Sequence, residues 1–179
     1  MKRVLSLFFV LALSYSGPAP FEVWATMSVQ ACFSPAGRCS NHILKEIGQA
    51  RKEIVVAVYA FTSDELAWAL VKASQRGVRV RVILDQEFDA ANENSKRSFL
   101  ENHGLPVRRV SGLNKGRERA GLMHQKFAVI DRSIVLTGSY NWTVAADNFN
   151  DENLLVFRDA GALAEEYRRE FFRLWERKQ

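Results

Sequence analysis

The chain has 179 residues, 47% hydrophobic and 25% charged, with 25 Lys and Arg against 20 Asp and Glu. This excludes a disordered or low-complexity chain and leaves room for one packed domain, not for two of enzyme size. The net charge of +5 and pI near 9.4 suit an anionic partner without identifying it, and two cysteines are too few for a disulfide scaffold.

The basic start Met1-Lys2-Arg3, the apolar run 4–13, Pro18, Pro20 and then Val23-Trp24-Ala25 follow the order of a secretory signal peptide cleaved after Ala25. The alternative is an uncleaved membrane anchor. Against it, the run is short of the roughly 20 residues a spanning helix needs, and Pro18, Pro20 and Glu22 interrupt any extension. Residues 1–25 are thus expected to be a signal and 26–179 one exported domain, periplasmic or secreted. In an oxidising compartment Cys32 and Cys39, which flank a turn-rich stretch, can close a local disulfide; the alternative is two unpaired loop thiols. No His or further Cys stands around them at zinc-site spacing.

A short strand is predicted over 28–33, then a helix over 41–52 with Ile43, Leu44 and Ile47 on one face. The β-branched run 54–59 reads as a strand buried on both faces. Ser63-Asp64-Glu65 opens a helix that Gly77 closes. Strands follow at 78–84 and 106–110, with a helix between them over 92–102 ended by Gly104. A polar loop, 111–121, leads to 127–130 and 134–136, two apolar runs separated by Asp131-Arg132-Ser133 in the manner of a hairpin. One more strand at 154–157 and a long helix over 160–177 complete the chain. The alternation predicts an α/β fold, layered α-β-α around a central mixed, mostly parallel sheet.

One group of residues carries chemistry. His124-Gln125-Lys126 is followed by Asp131, then by Gly138-Ser139-Tyr140-Asn141, and later by Glu152. On an extended segment, residues 124 and 126 point to the same side, so an imidazole and an ammonium share a surface. Gly138-Ser139 leads from a strand into a turn where a hydroxyl, a carboxamide and backbone N–H groups can meet an anion. These groups make a phosphate site that needs no metal or other cofactor: the imidazole can attack phosphorus while Lys126 and Asn141 hold its oxygens. By themselves His42 and His103, near helix ends, read as structural.

The spacing H-x-K-x4-D followed by G-S-x-N, carried here by His124, Lys126, Asp131, Gly138, Ser139 and Asn141, resembles that of the phospholipase D superfamily. The short chain with one motif is most similar to the small exported bacterial endonucleases of that group. The resemblance implies that His124 is a nucleophile forming a phosphohistidine, and that Lys126 and Asn141 bind phosphate with Ser139 in support. It also implies that Asp131 belongs to the catalytic motif as a structural partner. Glu152 is expected to hydrogen-bond the nucleophilic histidine and fix its tautomer, with Asp151 as the competing candidate. A second motif histidine is required to protonate the leaving oxygen, and the chain has no second H-x-K. A homodimer with a shared active site is therefore expected.

Two substrate classes suit this chemistry. Arg108, Arg109, Lys115, Arg117 and Arg119, crowded ahead of the motif, favour nucleic acid (DNA or RNA) and an endonuclease. Phe88, Leu113, Leu122 and Trp142 can instead furnish an apolar entrance for a phospholipid, as in a phospholipase D. A third alternative is a nucleic-acid-binding module that has lost turnover.

Overall fold

A computed structural model describes residues 26–114, 116 and 121–177. The expected signal, 1–25, and three of the five basic residues ahead of the motif, Lys115, Arg117 and Arg119, lie outside them. Seven strands form one sheet: β1 (Ser28–Ser34), β2 (Glu53–Val58), β3 (Arg79–Asp85), β4 (Val107–Val110), β5 (Lys126–Ile130), β6 (Ile134–Gly138) and β7 (Glu152–Arg158). Their spatial order is β1-β7-β6-β5-β2-β3-β4. Among the described residues, six helices accompany them: α1 (Ser40–Gln49), α2 (Asp64–Gln75), α3 (Gln86–Ala91), α4 (Arg97–Asn102), α5 (Val144–Asn148) and α6 (Gly161–Trp175).

β2 organises the sheet because all six of its residues are buried, as its β-branched run requires. Ile54, Val56 and Val58 enter a core with Ile43, Ile47, Leu66, Leu70 and Ala146, from α1, α2 and α5. The alternate residues Val55 and Ala57 enter a second core with Phe127, Val129, Ala164, Phe171 and Leu174, under α6. Burial of each such side chain stabilises the fold by about 1.5–3 kcal/mol. The expected α-β-α layering is therefore present, with α6 covering one face and α1, α2 and α5 the other.

The sheet is mixed, as expected, but it is not mostly parallel: four of its six strand pairings are antiparallel. β2, β3 and β4 pair in parallel, whereas the β1–β7, β7–β6, β6–β5 and β5–β2 pairs are antiparallel. The cause is the β5–β6 hairpin, which inserts an antiparallel pair beside β2 where a helical crossover would have kept the direction. Two other expectations shift. The helix expected over 92–102 is confined to Arg97–Asn102, and a separate short helix, Gln86–Ala91, precedes it because Asp85 accepts from the Phe88 N–H as an N-cap. Thr143 caps α5 in the same way by accepting from Ala146, within a segment expected to be a turn.

Cys32 and Cys39 are joined by a disulfide with Cα atoms 5.7 Å apart, clamping the end of β1 to the start of α1. Ser40, the next residue, donates through its N–H and hydroxyl to the Asp147 carboxylate of α5, which also accepts from the Tyr140 hydroxyl. These contacts fix the loop after β6 against α1. The strand directions then gather the C-terminal ends of β2, β3 and β6 with the first residues of β5 and β7 at one end of the sheet.

Candidate active site

At this end, Tyr59 continues β2 and its N–H donates to the Gln125 carbonyl (2.8 Å), which aligns the residues just ahead of β5. His124 lies there, exposed, its ring 4.7 Å from the Tyr59 ring between centroids. The half-buried Lys126 ammonium stands 5.2 Å from the centre of the same ring and donates to the His124 carbonyl (3.0 Å). Phe88 supports Tyr59 from behind, with centroids 5.4 Å apart. One aromatic ring thus positions both the imidazole and the ammonium of the H-x-K pair.

The G-S-x-N segment approaches from β6. Gly138 has φ +148°, and a Cβ there would collide with the Asn153 carbonyl oxygen, so this crossing of β6 and β7 demands glycine. Ser139 Oγ donates to Glu152 Oε2 (2.5 Å) and accepts from the Asn153 N–H (3.0 Å). Asn141 Oδ1 accepts from the Ala60 N–H (3.3 Å), which leaves the N–H donors of this amide for a substrate oxygen. Trp142 is buried; its N–H donates to the Ala60 carbonyl and its carbonyl accepts from Thr62 and Ser63, so the turn is stitched to the chain after β2.

Five of the expected residues therefore converge: His124, Lys126, Ser139, Asn141 and Glu152. Asp131 does not. It follows β5 at the other end, about 16 Å from Lys126 at the usual rise per strand residue. Its carboxylate accepts from the N–H groups of Arg51 (2.8 Å), Lys52 (2.7 Å) and Glu53 (3.0 Å). Burial raises its pKa, but those three N–H groups and the Lys52 charge outweigh it and hold the carboxyl below its ordinary value. Asp131 anchors the turn before β2 and is not placed to touch a substrate at His124. Glu152 is in the site, but its carboxylate accepts from Ser139 and Asn150 instead of from the His124 ring, because β7 sets it opposite β6. Asp151, its competitor, is exposed.

Sequence reasoning missed two members of the site, Tyr59 and Asp85. Asp85 is buried at the end of β3, and its Oδ2 accepts from the Met123 N–H (2.7 Å), fixing the residue before His124. An acidic residue closing a buried parallel strand is a signal that could have found it, since ligands in such sheets gather at those ends. Burial and the Lys126 charge, against an opposing pull from Asp85, hold the His124 pKa below the ordinary histidine value. The Lys126 pKa is also lowered, by burial, with Glu152 and Asp85 opposing. His124 is accordingly biased toward the neutral imidazole that can act as nucleophile.

A cleft of about 200 Å³ opens beside His124, lined among others by Gln125, Leu113, Leu122, Arg173 and Arg177. The basic approach read from the sequence is partly absorbed by the fold. Arg108 donates to the carbonyls of Trp175 and Arg177 at the end of α6, and Arg109 pairs with Asp89 (3.8 Å). Of the expected apolar entrance, Leu113 and Leu122 are exposed, whereas Trp142 is core and Phe88 is packed on Tyr59. Among the described residues, no three His, Cys, Asp or Glu side chains form a group that could hold a metal ion. The site's donors are an ammonium, amides and an imidazole, a set suited to phosphoryl oxygens.

A family model described as "Cardiolipin synthase, PLD-like domain" matches residues 43–175. The chain is 37% identical over 158 residues to the mitochondrial cardiolipin hydrolase of Xenopus laevis, covering 83% of this chain and 71% of that protein. It is 36% identical over 140 residues to a phospholipase D of Rickettsia felis, covering 78% of this chain but only 65% of the relative. Its fold matches the crystal structure of Nuc, a phospholipase D family member from Salmonella typhimurium, with a TM-score of 0.77 at 30% identity, over 86% of this chain and 97% of that one.

Proposed function

The chain belongs to the phospholipase D family, and on that footing we propose that it is a phosphodiesterase acting on nucleic acid through a covalent phosphohistidine on His124. What carries this reading is the convergence of His124, Lys126 and Asn141 at one end of the sheet, beside a cleft lined by Arg177, which donates to the Ser111 carbonyl, and by Arg173, which is paired with Glu170. In the first step the neutral His124 nitrogen bonds to phosphorus, and the bond from phosphorus to the leaving oxygen breaks. A proton must reach that oxygen, and His124 of a second copy, in its protonated form, supplies it and is left neutral. Water then attacks the phosphohistidine and gives a proton to His124 of the second copy, and the bond from phosphorus to nitrogen breaks, returning the imidazole. Lys126 and the Asn141 amide balance the charge on the phosphoryl oxygens; the Ala60 N–H holds Asn141, and Ser139, bonded to Glu152 and Asn153, ties the turn after β6 to β7.

The shared site makes the protein a homodimer in this reading. Exposed apolar side chains around the site support a docked second copy: Leu122 just before His124, Val144 just after Asn141, and Phe149 just before Glu152. Export is supported by the Cys32–Cys39 disulfide, which suits an oxidising compartment. A phospholipid substrate is the second reading, favoured by the exposed Leu113 and Leu122 at the cleft and by the names of the matched relatives.

The test offers plasmid DNA, single-stranded oligonucleotide and phosphatidylcholine vesicles to one preparation, with His124→Asn as the control and EDTA in a parallel arm. Nucleic-acid cleavage that persists in EDTA and disappears in His124→Asn is the expected result. Cleavage of vesicles alone selects the lipid reading. Sedimentation of the active species as a monomer would refute the shared site.

A further inference from the structure

The end of the sheet opposite His124 carries a second concentration of charge that the proposed chemistry does not use. A cavity of about 240 Å³ is lined by Lys52, Glu53, Arg79, Asp131 and Arg132. Its two carboxylates are already satisfied. Asp131 accepts three backbone N–H groups, and the buried Glu53 accepts from Arg168 (2.8 Å) with Arg81 at 3.6 Å and Arg132 at 3.8 Å. Arg168 has one further acid, Glu165 at 3.8 Å. Among the described residues, the side chains of Lys52 and Arg79 make no ion pair within 4 Å, although the Lys52 charge acts on Asp131 from further off, and both are exposed. The Arg79 N–H donates to the Lys52 carbonyl (3.1 Å), which joins the two residues' backbones at the edge of the cavity they both line. The cavity wall is therefore cationic in excess of what its carboxylates need.

The turn between β5 and β6 adds a second observation. Asp131 and Arg132 both have left-handed backbone, φ 50° and 58°. A turn of this kind selects Gly at its second position, as in Asp-Gly. Arginine is there instead, held in a conformation that strains any residue with a Cβ. Stability alone does not call for it, because Glu53 keeps Arg81 and Arg168 without it. The turn projects a guanidinium over the cavity that Lys52 and Arg79 border.

We propose that this end of the sheet is a non-catalytic anion site that takes a phosphate group of the nucleic-acid backbone, with Lys52, Arg79 and Arg132 as its cations. The assignment rests on the nucleic-acid reading above. The cavity has room for one phosphate group and not for a folded ligand, while the exposed rim allows a chain to continue past it. The site would hold the polymer to the protein at a point remote from the bond being cut, raising affinity without altering the chemical step.

The test measures binding in the His124→Asn background, so that the oligonucleotide survives. Fluorescence anisotropy with a labelled single strand over a salt series is compared with and without Lys52→Gln, Arg79→Gln and Arg132→Gly together. The expected result is affinity reduced about tenfold and a log–log salt slope reduced by about one per removed phosphate contact. With native His124, turnover of bis(p-nitrophenyl) phosphate, which is too small to reach both ends, should be unchanged by the three substitutions. Arg132→Gly alone should melt no lower than the parent, since glycine suits the turn, and yet bind more weakly. In NMR, inorganic phosphate should shift the amides of Arg79 and Arg132. Binding and salt slope indifferent to the substitutions would overturn the site while leaving the nucleic-acid reading intact. Loss of binding to anionic vesicles with oligonucleotide binding unaffected would overturn it too and assign the cations to a membrane surface. Failure of every variant to bind oligonucleotide would overturn both readings together.

Discussion

Asp131→Ala removes a carboxylate that accepts N–H bonds from three consecutive residues, Arg51, Lys52 and Glu53, at 2.7–3.0 Å. A hydrogen bond to a charged group contributes about 1.5–3 kcal/mol where water is excluded. The bonds to Arg51 and Lys52 are exposed, so water takes over much of their role, while the bond to Glu53 is partly buried. Allowing about 1 kcal/mol for each exposed bond and slightly more for the third gives a loss of about 3 kcal/mol. For a chain of this size that lowers Tm by roughly 6–12 °C. Asp131→Asn should lose about half as much, because one amide oxygen can still accept from Lys52 and Glu53 while the NH2 group faces the Arg51 N–H. The pH dependence follows from the lowered pKa. The stabilisation is fully present above the unfolded carboxyl value of about 3.9 and is lost as pH falls through the lower folded value. The difference in Tm between the native chain and Asp131→Asn should therefore shrink in acid. Thermal melts across this range, paired with kcat at a temperature where every variant is folded, make the assay. A folded Asp131→Ala protein with kcat lowered about a hundredfold would refute the argument, because it would put Asp131 in the chemistry. An unchanged Tm would refute it from the other side.

Three further outcomes can be checked. Because burial and Lys126 depress the His124 pKa, the acid limb of kcat/KM should inflect below pH about 6.5, and an NMR titration of the His124 ring should move up in Lys126→Met and down in Asp85→Asn. Replacing Cys32 and Cys39 by Ser opens a loop with a sequence separation of 7 and should cost about 2 kcal/mol of stability, seen in denaturant unfolding; an equal effect should follow from reductant on the native protein and none on the variant. Gly138→Ala should destabilise by about 2 kcal/mol or more and lower kcat, since its Cβ meets the Asn153 carbonyl beside the Ser139–Glu152 hydrogen bond; wild-type melting and turnover would show that this crossing does not hold the site.

The readable parts of the fold were those written in local pattern. The all-buried β2, the Ser63 cap of α2 and the β5–β6 hairpin are all short-range features, and each stands close to where its residues predict it. Two short helices, α3 and α5, escaped because each starts from a single cap, Asp85 or Thr143, with too few residues to show a period. The proportion of parallel pairing was not readable either. Whether β5 lies beside β2 depends on contacts between residues far apart in the chain, such as Ile54 with Ile130.

The active site divides along the same line. His124 and Lys126 share a surface because alternation along an extended chain puts them there, and Ser139 and Asn141 follow because the hairpin returns β6 to the same end. The sequence by itself therefore determined which side chains could meet a phosphate. Tertiary structure decided what each is bonded to. Asp131, part of the same motif, goes to the opposite end because the run of β5 carries it about 16 Å from Lys126. Glu152 bonds Ser139, and not the imidazole, because pairing between β6 and β7 sets it there. Tyr59 and Asp85 join because β2 and β3 end beside β5, a proximity created by sheet order. Hydrogen bonding between strands depends on register across the sheet, and register joins residues whose separation along the chain leaves no local trace.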